Sequence, residues 1–255
     1  SQNILIFESD MDLEFGRDSL KDLLPLKSDY GLGVRSNDRL VVERYMKGSL
    51  LGCDVFTEAP GRHRLLGINE KQMLSPPSFA IRGGCFLPNT GMWPGLESYL
   101  FSALDAVGFD CGASHIEVMM TTEGPMLVEI NPRLVGAKIA RLIGVSLGKS
   151  AHEALIRLHL GQSAWEGLQV ERFQPSVTRW LMAQRNGQLK SIRLPRWTHT
   201  AIKNVELLVQ PGQSVYFPFE NAHRLGCVIA SSKSRSEAER IAEQYWLDTE
   251  LVLVD

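Results

Sequence analysis

The chain has the size and composition of a protein that folds around its own hydrophobic core. It has 255 residues, of which 44% are hydrophobic and 22% are charged, and its formal net charge is −2. This balance gives no reason to expect nucleic acid or an anionic membrane as a partner, and no apolar run approaches the ~20 residues of a membrane helix. The four cysteines are widely spaced, which favours reduced thiols in a cytoplasmic protein over a disulfide or zinc framework.

The first part of the chain has short elements that alternate with turns. We predict a strand at 3–9, a helix at 16–24, a strand at 39–46 and its hairpin partner at 50–58. Residues 59–79 have the composition of turns around one short strand. Residues 81–95, IRGGCFLPNTGMWPG, are rich in glycine and proline and are predicted to form a loop.

The second part of the chain has stronger periodic patterns. Apolar residues recur at helical spacing over 95–107 and predict an amphipathic helix. The following elements are strands at 114–120 and 126–131, helices at 135–147 and 150–160 and, after a break at 166–175, short strands, a helix in SEAERIAEQYW and a last strand in ELVLVD. Ser234 or Ser236 is the predicted N-cap of the helix in SEAERIAEQYW.

Two acidic residues interrupt the apolar pattern of the strands at 114–120 and 126–131. TTEGP has the composition of a turn, and folding the chain back there places Glu117 opposite Glu129 and His115 opposite Asn131. Directly opposed side chains of an antiparallel pair are about 4.5–5.5 Å apart at Cβ. The other face of this hairpin is predicted to be apolar and to carry Ile116, Val118, Val128 and Ile130.

The two opposed carboxylates need a positive partner. Like charges that face each other destabilise a hairpin, and a divalent cation is the simplest neutraliser. Oxygen ligands from Glu117, Glu129 and the Asn131 amide favour Mg²⁺ or Mn²⁺ over zinc. The alternative is an exposed hairpin with solvated glutamates. We favour a metal site, because Asn131 and Arg133 extend the polar face and the strand ends abruptly at Pro132.

The motif around EINPR resembles a known family. LVEINPRLVGAKI is similar to the metal-binding signature of the ATP-grasp superfamily of ATP-dependent carboxylate–amine (or thiol) ligases. VVERYMKG resembles the hinge strand that holds adenine, and GINEK, FLPNTG and GFDCGASHIEV follow in the order usual for the family. AHRLGCVIASSKSRSEAERIAE resembles the C-terminal lobe of the L-amino acid ligase (dipeptide synthase) branch, which is also similar to that of biotin carboxylase. The resemblance covers about residues 40–255.

The resemblance implies an α+β protein with an ATP-grasp fold, in which helices pack on an antiparallel sheet, and a small C-terminal α/β lobe. Residues 1–38 would be a remnant of the N-terminal domain and the lid, 39–165 the ATP-grasp catalytic core, and 166–255 the C-terminal lobe. The Rossmann-like domain that normally precedes the core would be largely absent, since only NILIFES resembles its first strand.

The resemblance also implies roles for the polar residues of the hairpin. Glu117, Glu129 and Asn131 would hold Mg²⁺ ions that bridge the phosphates of ATP. Arg133 would contact the transferred phosphoryl or acyl-phosphate group, because its planar fork of donors suits phosphate oxygens. The alternative for Arg133 is a surface salt bridge.

Nucleotide binding would involve residues nearer the start of the chain. Glu43 would accept a hydrogen bond from the adenine amino group, with backbone groups of Arg44 and Met46 beside it, and Lys27 of the lid-like segment would meet the phosphates. Glu43 could instead be a solvated residue at a strand end. Leu50 departs from the family, which often has an acidic residue there to hold the ribose hydroxyls.

Two further residues are candidates for substrate binding. Gly136 lies in VGAKI, which is predicted to open a helix whose free N–H groups can bind an amino-acid carboxylate. The same glycine could merely allow close packing. Arg82 lies in the predicted loop and could close over a substrate, or could be a solvated arginine.

The implied reaction starts when a carboxylate attacks the γ-phosphate of ATP. The resulting acyl phosphate then reacts with an amine to give an amide, ADP and phosphate. The expected partners are therefore small-molecule carboxylates and amines, and a second copy of the chain, in a homodimer, is a further possible partner. The alternatives are a biotin-carboxylase-like or purine-pathway enzyme of the superfamily, or a non-catalytic nucleotide-binding module, which Leu50 and the reduced N-terminal part favour.

Overall fold

The computed structural model describes residues 6, 7, 9, 12, 14 and 16 and then 41–75, 78, 80–87, 91–136, 138–168, 173–218 and 221–254. Most of the strand expected at 3–9, nearly all of the helix expected at 16–24, and Lys27 lie outside these residues. The chain divides into two compact units, Ser1–Lys47 and Gly48–Asp255.

In the described part of the unit Gly48–Asp255, eleven strands form two antiparallel sheets. They are β1 Ser49–Ala59, β2 Arg62–Met73, β3 Ile81–Leu87, β4 Gly112–Thr121, β5 Gly124–Asn131, β6 Ser176–Met182, β7 Gly187–Arg193, β8 Ile202–Leu207, β9 Ser214–Val215, β10 Arg224–Ser231 and β11 Glu250–Val254. The main sheet has eight strands in the order β5-β4-β1-β2-β3-β6-β10-β8, and the smaller sheet has the order β11-β7-β9. Because β3 pairs with β6, the main sheet contains strands from both sides of residue 166, where a domain boundary was predicted. That boundary stays a prediction.

Among the residues that the structure describes from Gly48 onward, five α-helices and one short 3-10 helix pack with these strands. They are α1 Leu96–Ala106, α2 Ile139–Leu147, α3 Ala151–His159, α4 Ala164–Gly167, α5 Arg235–Leu247 and the 3-10 helix Asn221–His223. No helix in the described part of the chain is long and apolar enough to cross a membrane. The combination of antiparallel sheets with separate helices confirms the predicted α+β class.

The two faces of the main sheet have different coverings. Leu96, Leu100 and Leu104 are spaced four residues apart, so they form one apolar stripe of α1, which packs on β1, β2 and β4. On the opposite face α2, α3 and α4 pack over an apolar area that includes Phe56 and Phe86. Beside that area the same face is polar, which leaves room for a site on β1, β2, β4 and β5.

Three predicted helices are confirmed. The helix expected at 95–107 is α1, the helix expected at 150–160 is α3, and the helix expected in SEAERIAEQYW is α5. The α5 N-cap is Ser234, whose side chain accepts a hydrogen bond from the Glu237 N–H at 3.2 Å. Ser236 lies within the first turn instead.

Two early predictions are wrong. Residues 41–47 have no regular secondary structure, and β1 pairs with β2 and β4 rather than with a strand at 39–46. The first part of the predicted loop at 81–95 is β3, which lies inside the main sheet. Its glycines mark close approaches and not a turn: a Cβ on Gly83 would lie 2.4 Å from the Thr178 carbonyl oxygen, and one on Gly84 would lie 2.7 Å from Asn69 Oδ1.

Candidate active site

The hairpin of β4 and β5 has the predicted register at its polar end. Glu117 lies opposite Glu129, and His115 lies opposite Asn131. The pairing shifts by one residue directly after Glu117, so Val118 faces Leu127 and Val128 falls in a bulge. The prediction that Val128 joins the apolar face is therefore wrong, and its side chain is 41% exposed.

The polar groups of β5 form a short chain that ends at the arginine. Asn131 Nδ2 donates to Glu129 Oε1 at 2.7 Å, and Arg133 Nη2 donates to Asn131 Oδ1 at 3.3 Å. Arg133 Nη1 also donates to the carbonyl oxygen of Leu134 at 3.0 Å. Glu129, Asn131 and Arg133 are spaced two residues apart, which places Glu129 and Asn131 on one face of the strand. The structure thus brings together three of the residues predicted from EINPR.

Glu117 has two basic partners that the sequence analysis did not assign to it. Lys71 of β2 donates to Glu117 Oε1, and His115 Nε2 lies 3.6 Å from the same oxygen. The Lys71 side chain is 8% exposed and that of Glu117 is 20% exposed, so solvent screens this pair only weakly. Lys71 therefore neutralises one of the two opposed carboxylates, and charge repulsion alone no longer requires a metal ion.

The protonation of this cluster follows from its contacts. Burial of Glu117 opposes ionisation, but the hydrogen bonds and charges of His115 and Lys71 outweigh it and lower the pKa of Glu117 to about 2. Burial likewise opposes a charged His115, but its contacts with Asp54 and Glu117 raise the pKa of the imidazole above its usual value. Glu117 is thus kept as a carboxylate, the form that binds a cation.

Asp54 of β1 continues the cluster into the sheet. Its Oδ1 atom accepts hydrogen bonds from His115 Nδ1 at 3.1 Å and from the Val135 N–H at 3.3 Å. Gly52 leaves the space for this arrangement, since a Cβ there would lie 2.6 Å from His115 Cε1 and 3.4 Å from Lys71 Cε. The site therefore depends on β1 as well as on the hairpin.

The oxygen atoms of Glu117, Glu129 and Asn131 fit a hard divalent cation. They come from adjacent antiparallel strands, with Glu117 directly opposite Glu129, and they supply carboxylate and amide oxygens rather than thiolates. In the part of the chain that the structure describes, no group of three His, Cys, Asp or Glu side chains is arranged as a metal site. The fit therefore depends on two carboxylates completed by an amide and by oxygens from a ligand, as is usual for Mg²⁺ beside phosphates.

Gly136 does not lie at a helix N-terminus. The helix predicted at 135–147 begins only at Ile139, with Lys138 as its N-cap residue, and Gly136 lies in the preceding irregular segment. The neighbouring Val135 N–H donates to Asp54. The predicted helix start at Val135-Gly136 is therefore wrong, because Asp54 holds the Val135 backbone in a non-helical segment, and a substrate contact at Gly136 stays a prediction.

Arg82 lies on a strand and not on a mobile loop. It is part of β3, and its guanidinium forms an ion pair with Glu243 of α5. Both side chains are partly exposed, so this pair contributes little to stability. Arg82 thus contacts the C-terminal helix, and a role in closing over a substrate has no support from its position.

The predicted adenine-binding residues belong to the unit Ser1–Lys47. Glu43 and Arg44 are exposed, and Met46 is half-buried. Leu50 lies at the start of β1, half-buried and opposite Met119, so its side chain packs on β4. The roles of Glu43, Arg44 and Met46 in adenine binding stay predictions.

Comparison with family models identifies the class of protein. A model described as an ATP-grasp domain matches residues 1–141, more than half of the chain. The chain therefore belongs to the ATP-grasp family, as the resemblance implied. A second model, described as L-amino acid ligase C-terminal domain 2, matches residues 179–253.

Known proteins extend this comparison. An uncharacterized protein, y4rH of Sinorhizobium fredii, is 26% identical over 230 residues, which are 85% of this chain and 46% of that protein. Phosphoribosylglycinamide synthetase from Anaerococcus prevotii has a similar fold, with a TM-score of 0.73 at 13% identity over 100% of this chain and 63% of that one. L-amino acid ligase from Bacillus licheniformis has a TM-score of 0.69 at 15% identity over 83% of this chain and 55% of that one. The chain thus spans about half to two thirds of the length of these proteins.

Lys71 and Asp54 are the site residues that the sequence analysis missed. Asp54 lies between the buried Cys53 and Val55 of β1, an acid in an apolar run like Glu117, whereas Lys71 lies in the polar second half of β2, between Glu70 and Gln72. Residues 59–79 were predicted to mix turns with one short strand, so the polar end of β2 that carries Lys71 was not recognised as part of a long strand. Asp54 lies in CDVF, where a single acid is a weak signal without knowledge of its partner strand.

Proposed function

We propose that this chain carries the catalytic core of an ATP-dependent carboxylate–amine ligase. It would join the carboxylate of an amino acid to an amine through an acyl phosphate and release ADP and phosphate. The observation that carries the proposal is the row of Glu129, Asn131 and Arg133 on one strand, with Glu117 opposite. The match of residues 179–253 to the C-terminal domain of L-amino acid ligases favours amino acids as substrates.

The proposed mechanism needs few chemical groups from the protein. Glu117, Glu129 and Asn131 would hold Mg²⁺, which would neutralise the charge on the phosphates of ATP. Arg133 would contact the phosphoryl group as it moves to the substrate carboxylate, where two parallel N–H donors match two oxygens. A fixed cation at that point stabilises developing charge without reorganisation, so the protein acts by positioning and electrostatics.

Other parts of the proposal concern binding and organisation. Glu43, Arg44, Met46 and Lys27 would bind the nucleotide. Gly136 stays a candidate substrate contact, because it is exposed and lies close to Arg133. Arg82 also stays a candidate, although its position on β3 does not favour that role. We also propose that the chain is organised into 1–38, 39–165 and 166–255 and that the protein is cytoplasmic; a homodimer is compatible with this proposal.

The test of this function measures ADP release by the chain over a panel of amino acids, offered singly and in pairs. Mass spectrometry would detect the amide product, and hydroxylamine would trap the acyl phosphate as a hydroxamate. Glu129→Gln serves as the inactive comparison, and Glu123→Gln, the same change in the exposed turn of the hairpin, as the control.

The outcomes separate the alternatives. Amino-acid-dependent ADP release with an amide product supports the ligase. ADP release that depends on bicarbonate favours a carboxylase-like enzyme, and release that depends on a sugar-phosphate amine favours a purine-pathway ligase. Nucleotide binding without turnover under any of these conditions would contradict the proposal in favour of a non-catalytic module.

A further inference from the structure

Asp54 occupies the centre of β1, where the two halves of the site meet. One half is Glu117 with its partner His115, and the other is Arg133 with the segment that follows it. Its side chain is 0% exposed, and its strand lies between β4, which carries Glu117, and β2, which carries Lys71. Asp54 lies directly opposite His115 in the register of β1 and β4, so the hydrogen bond at 3.1 Å joins neighbouring strands. His115 then reaches Glu117 at 3.6 Å.

The same carboxylate oxygen also holds the segment that follows Arg133. Asp54 Oδ1 accepts from the Val135 N–H, and Leu134 and Val135 are both buried. The Arg133 side chain is tied to this segment, because its Nη1 donates to the Leu134 carbonyl oxygen. One atom of Asp54 therefore contacts both the support of Glu117 and the backbone beside Arg133.

We propose that Asp54 is a positioning residue that couples the two halves of the site. Through His115 it fixes Glu117, and through the backbone of Val135 it fixes the segment that directly follows Arg133. The inference rests on the proposed function, since the roles of Glu117 and Arg133 are those proposed above. Asp54 itself touches no reacting group in this scheme.

The chemistry of Asp54 favours positioning over simple packing. A buried carboxylate is costly unless its partners compensate for the lost water. Asp54 Oδ2 has no hydrogen-bond partner among the described residues, so the side chain is held by the contacts of Oδ1 alone. Groups that hold the ligands of a metal in this way typically affect metal affinity although they do not bind the metal.

Thr57, on the same strand, offers a matched comparison. It is also 0% exposed, and its hydroxyl hydrogen-bonds a histidine, His63, at 2.7 Å. His63 in turn contacts Asp105 of α1 at 3.0 Å, on the side of the sheet away from the hairpin site. Thr57→Val therefore removes a buried hydrogen bond to a histidine without touching the site.

The experiment compares Asp54→Ala, Asp54→Asn and Thr57→Val. Mn²⁺ binding would be measured by electron paramagnetic resonance with a non-hydrolysable ATP analogue present, and backbone hydrogen exchange would be followed in the peptide that spans 133–136. We expect Asp54→Ala to weaken Mn²⁺ binding about tenfold and to raise exchange at Val135 at least about tenfold. Asp54→Asn keeps one acceptor oxygen and should therefore retain part of the Mn²⁺ affinity and part of the protection from exchange at Val135. Thr57→Val should lower the melting temperature alone.

A change in melting temperature alone for Asp54→Ala, as in Thr57→Val, would overturn the proposal. If Asp54→Ala does not fold, Asp54→Asn is combined with His115→Gln. Asp54→Asn should then weaken Mn²⁺ binding in the wild-type background and not beside His115→Gln, and equal effects in both backgrounds would also overturn the coupling.

Failure of the proposed function would look different. An absence of amide product, with Mn²⁺ binding and exchange at Val135 still dependent on Asp54, would contradict the ligase and keep the positioning role. If the wild-type chain binds no Mn²⁺, hydrogen exchange at Val135 still tests whether Asp54 holds the segment after Arg133. Unchanged exchange in Asp54→Ala then refutes the proposal.

Discussion

The two strands of the hairpin hold their carboxylates in different ways. On β4, Glu117 is mostly buried and contacts Lys71 and His115, and Asp54 holds His115 from the neighbouring strand. On β5, which is the edge of the main sheet, Glu129 is exposed and accepts a hydrogen bond from the Asn131 amide. The β4 side is thus fixed by the sheet, whereas the β5 side has groups available for a ligand.

This difference suggests a division of labour. A carboxylate with a cationic partner is already neutralised and oriented before any metal arrives. A carboxylate at an exposed edge contributes less to the stability of the folded state and more to the binding of a ligand at that edge. We therefore expect changes on β5 to affect turnover more than stability, and changes on the β4 side to affect both.

The largest effect is expected for Glu129→Gln. This change removes a negative charge from an exposed side chain that supports little else, so the fold should stay intact. ATP turnover should fall by at least about a hundredfold, or ~2.7 kcal/mol in activation free energy, because the metal would lose a charged ligand. Steady-state ADP release measures turnover and circular dichroism checks the fold, with Glu123→Gln as the control for both. Unchanged turnover would remove Glu129 from the metal site.

Arg133→Lys tests the other end of the β5 row. Lysine keeps the charge but loses the two-pronged geometry, so kcat should fall about tenfold or more, or ~1.4 kcal/mol, with a smaller change in the KM for ATP. Arg133→Ala should have a larger effect. Arg193→Lys, which alters an exposed arginine paired with Glu250, is the matched control. Near-normal kcat in Arg133→Lys would mean that the arginine serves packing or a salt bridge.

Lys71→Met tests the β4 side. Removing the ammonium leaves Glu117 mostly buried without its closest cation, which should lower the free energy of unfolding by about 1–3 kcal/mol. Mg²⁺ and ADP together should then raise the melting temperature more in Lys71→Met than in the wild type, because the metal replaces the missing charge. Calorimetry measures both quantities.

Lys138→Met provides the control for this comparison, since Lys138 pairs with Glu206 and both side chains are about one third exposed. It should cost less stability than Lys71→Met and leave the response to Mg²⁺ and ADP unchanged. Equal responses in the two variants would argue against Glu117 as a metal ligand.

Glu43→Ala should give the smallest effect and lies on neither strand. Adenine contacts are about equal in the ground state and the transition state, so the KM for ATP should rise by about three- to tenfold, the range of one hydrogen bond, while kcat at saturating ATP stays nearly constant. Initial rates over a range of ATP concentrations measure this split. A large fall in kcat at constant KM would show that Glu43 acts in the reaction instead.

Much of the site followed from local sequence pattern. The turn TTEGP fixed the pairing of Glu117 with Glu129, since a tight turn leaves little freedom in which residues face each other. The apolar spacing of α1 and the serine N-cap of α5 were also readable, because helices obey short-range rules. The bulge that exposes Val128 was not readable, because it depends on how β5 ends the sheet.

Long-range pairing accounts for the errors. Gly83 and Gly84 suggested a loop, but they lie in β3 because Asn69 and the backbone of Thr178 approach too closely for a side chain. The helix after Arg133 was predicted to start too early, because the hydrogen bond from the Val135 N–H to Asp54 joins residues 81 positions apart in the chain. No local window of sequence contains such a contact.

The sequence by itself determined the opposed pair of glutamates and the polar row that ends in Arg133, because these follow from turns and from periods of a few residues, and its resemblance to ATP-grasp ligases implied the α+β class. Tertiary structure decided which groups surround Glu117. Lys71, His115 and Asp54 come from three different strands, and only the order β4-β1-β2 of the folded sheet brings them together. The pairing of strands is set by burial and hydrogen bonding across the whole sheet, so the charge balance of the site emerges only when the sheet is complete.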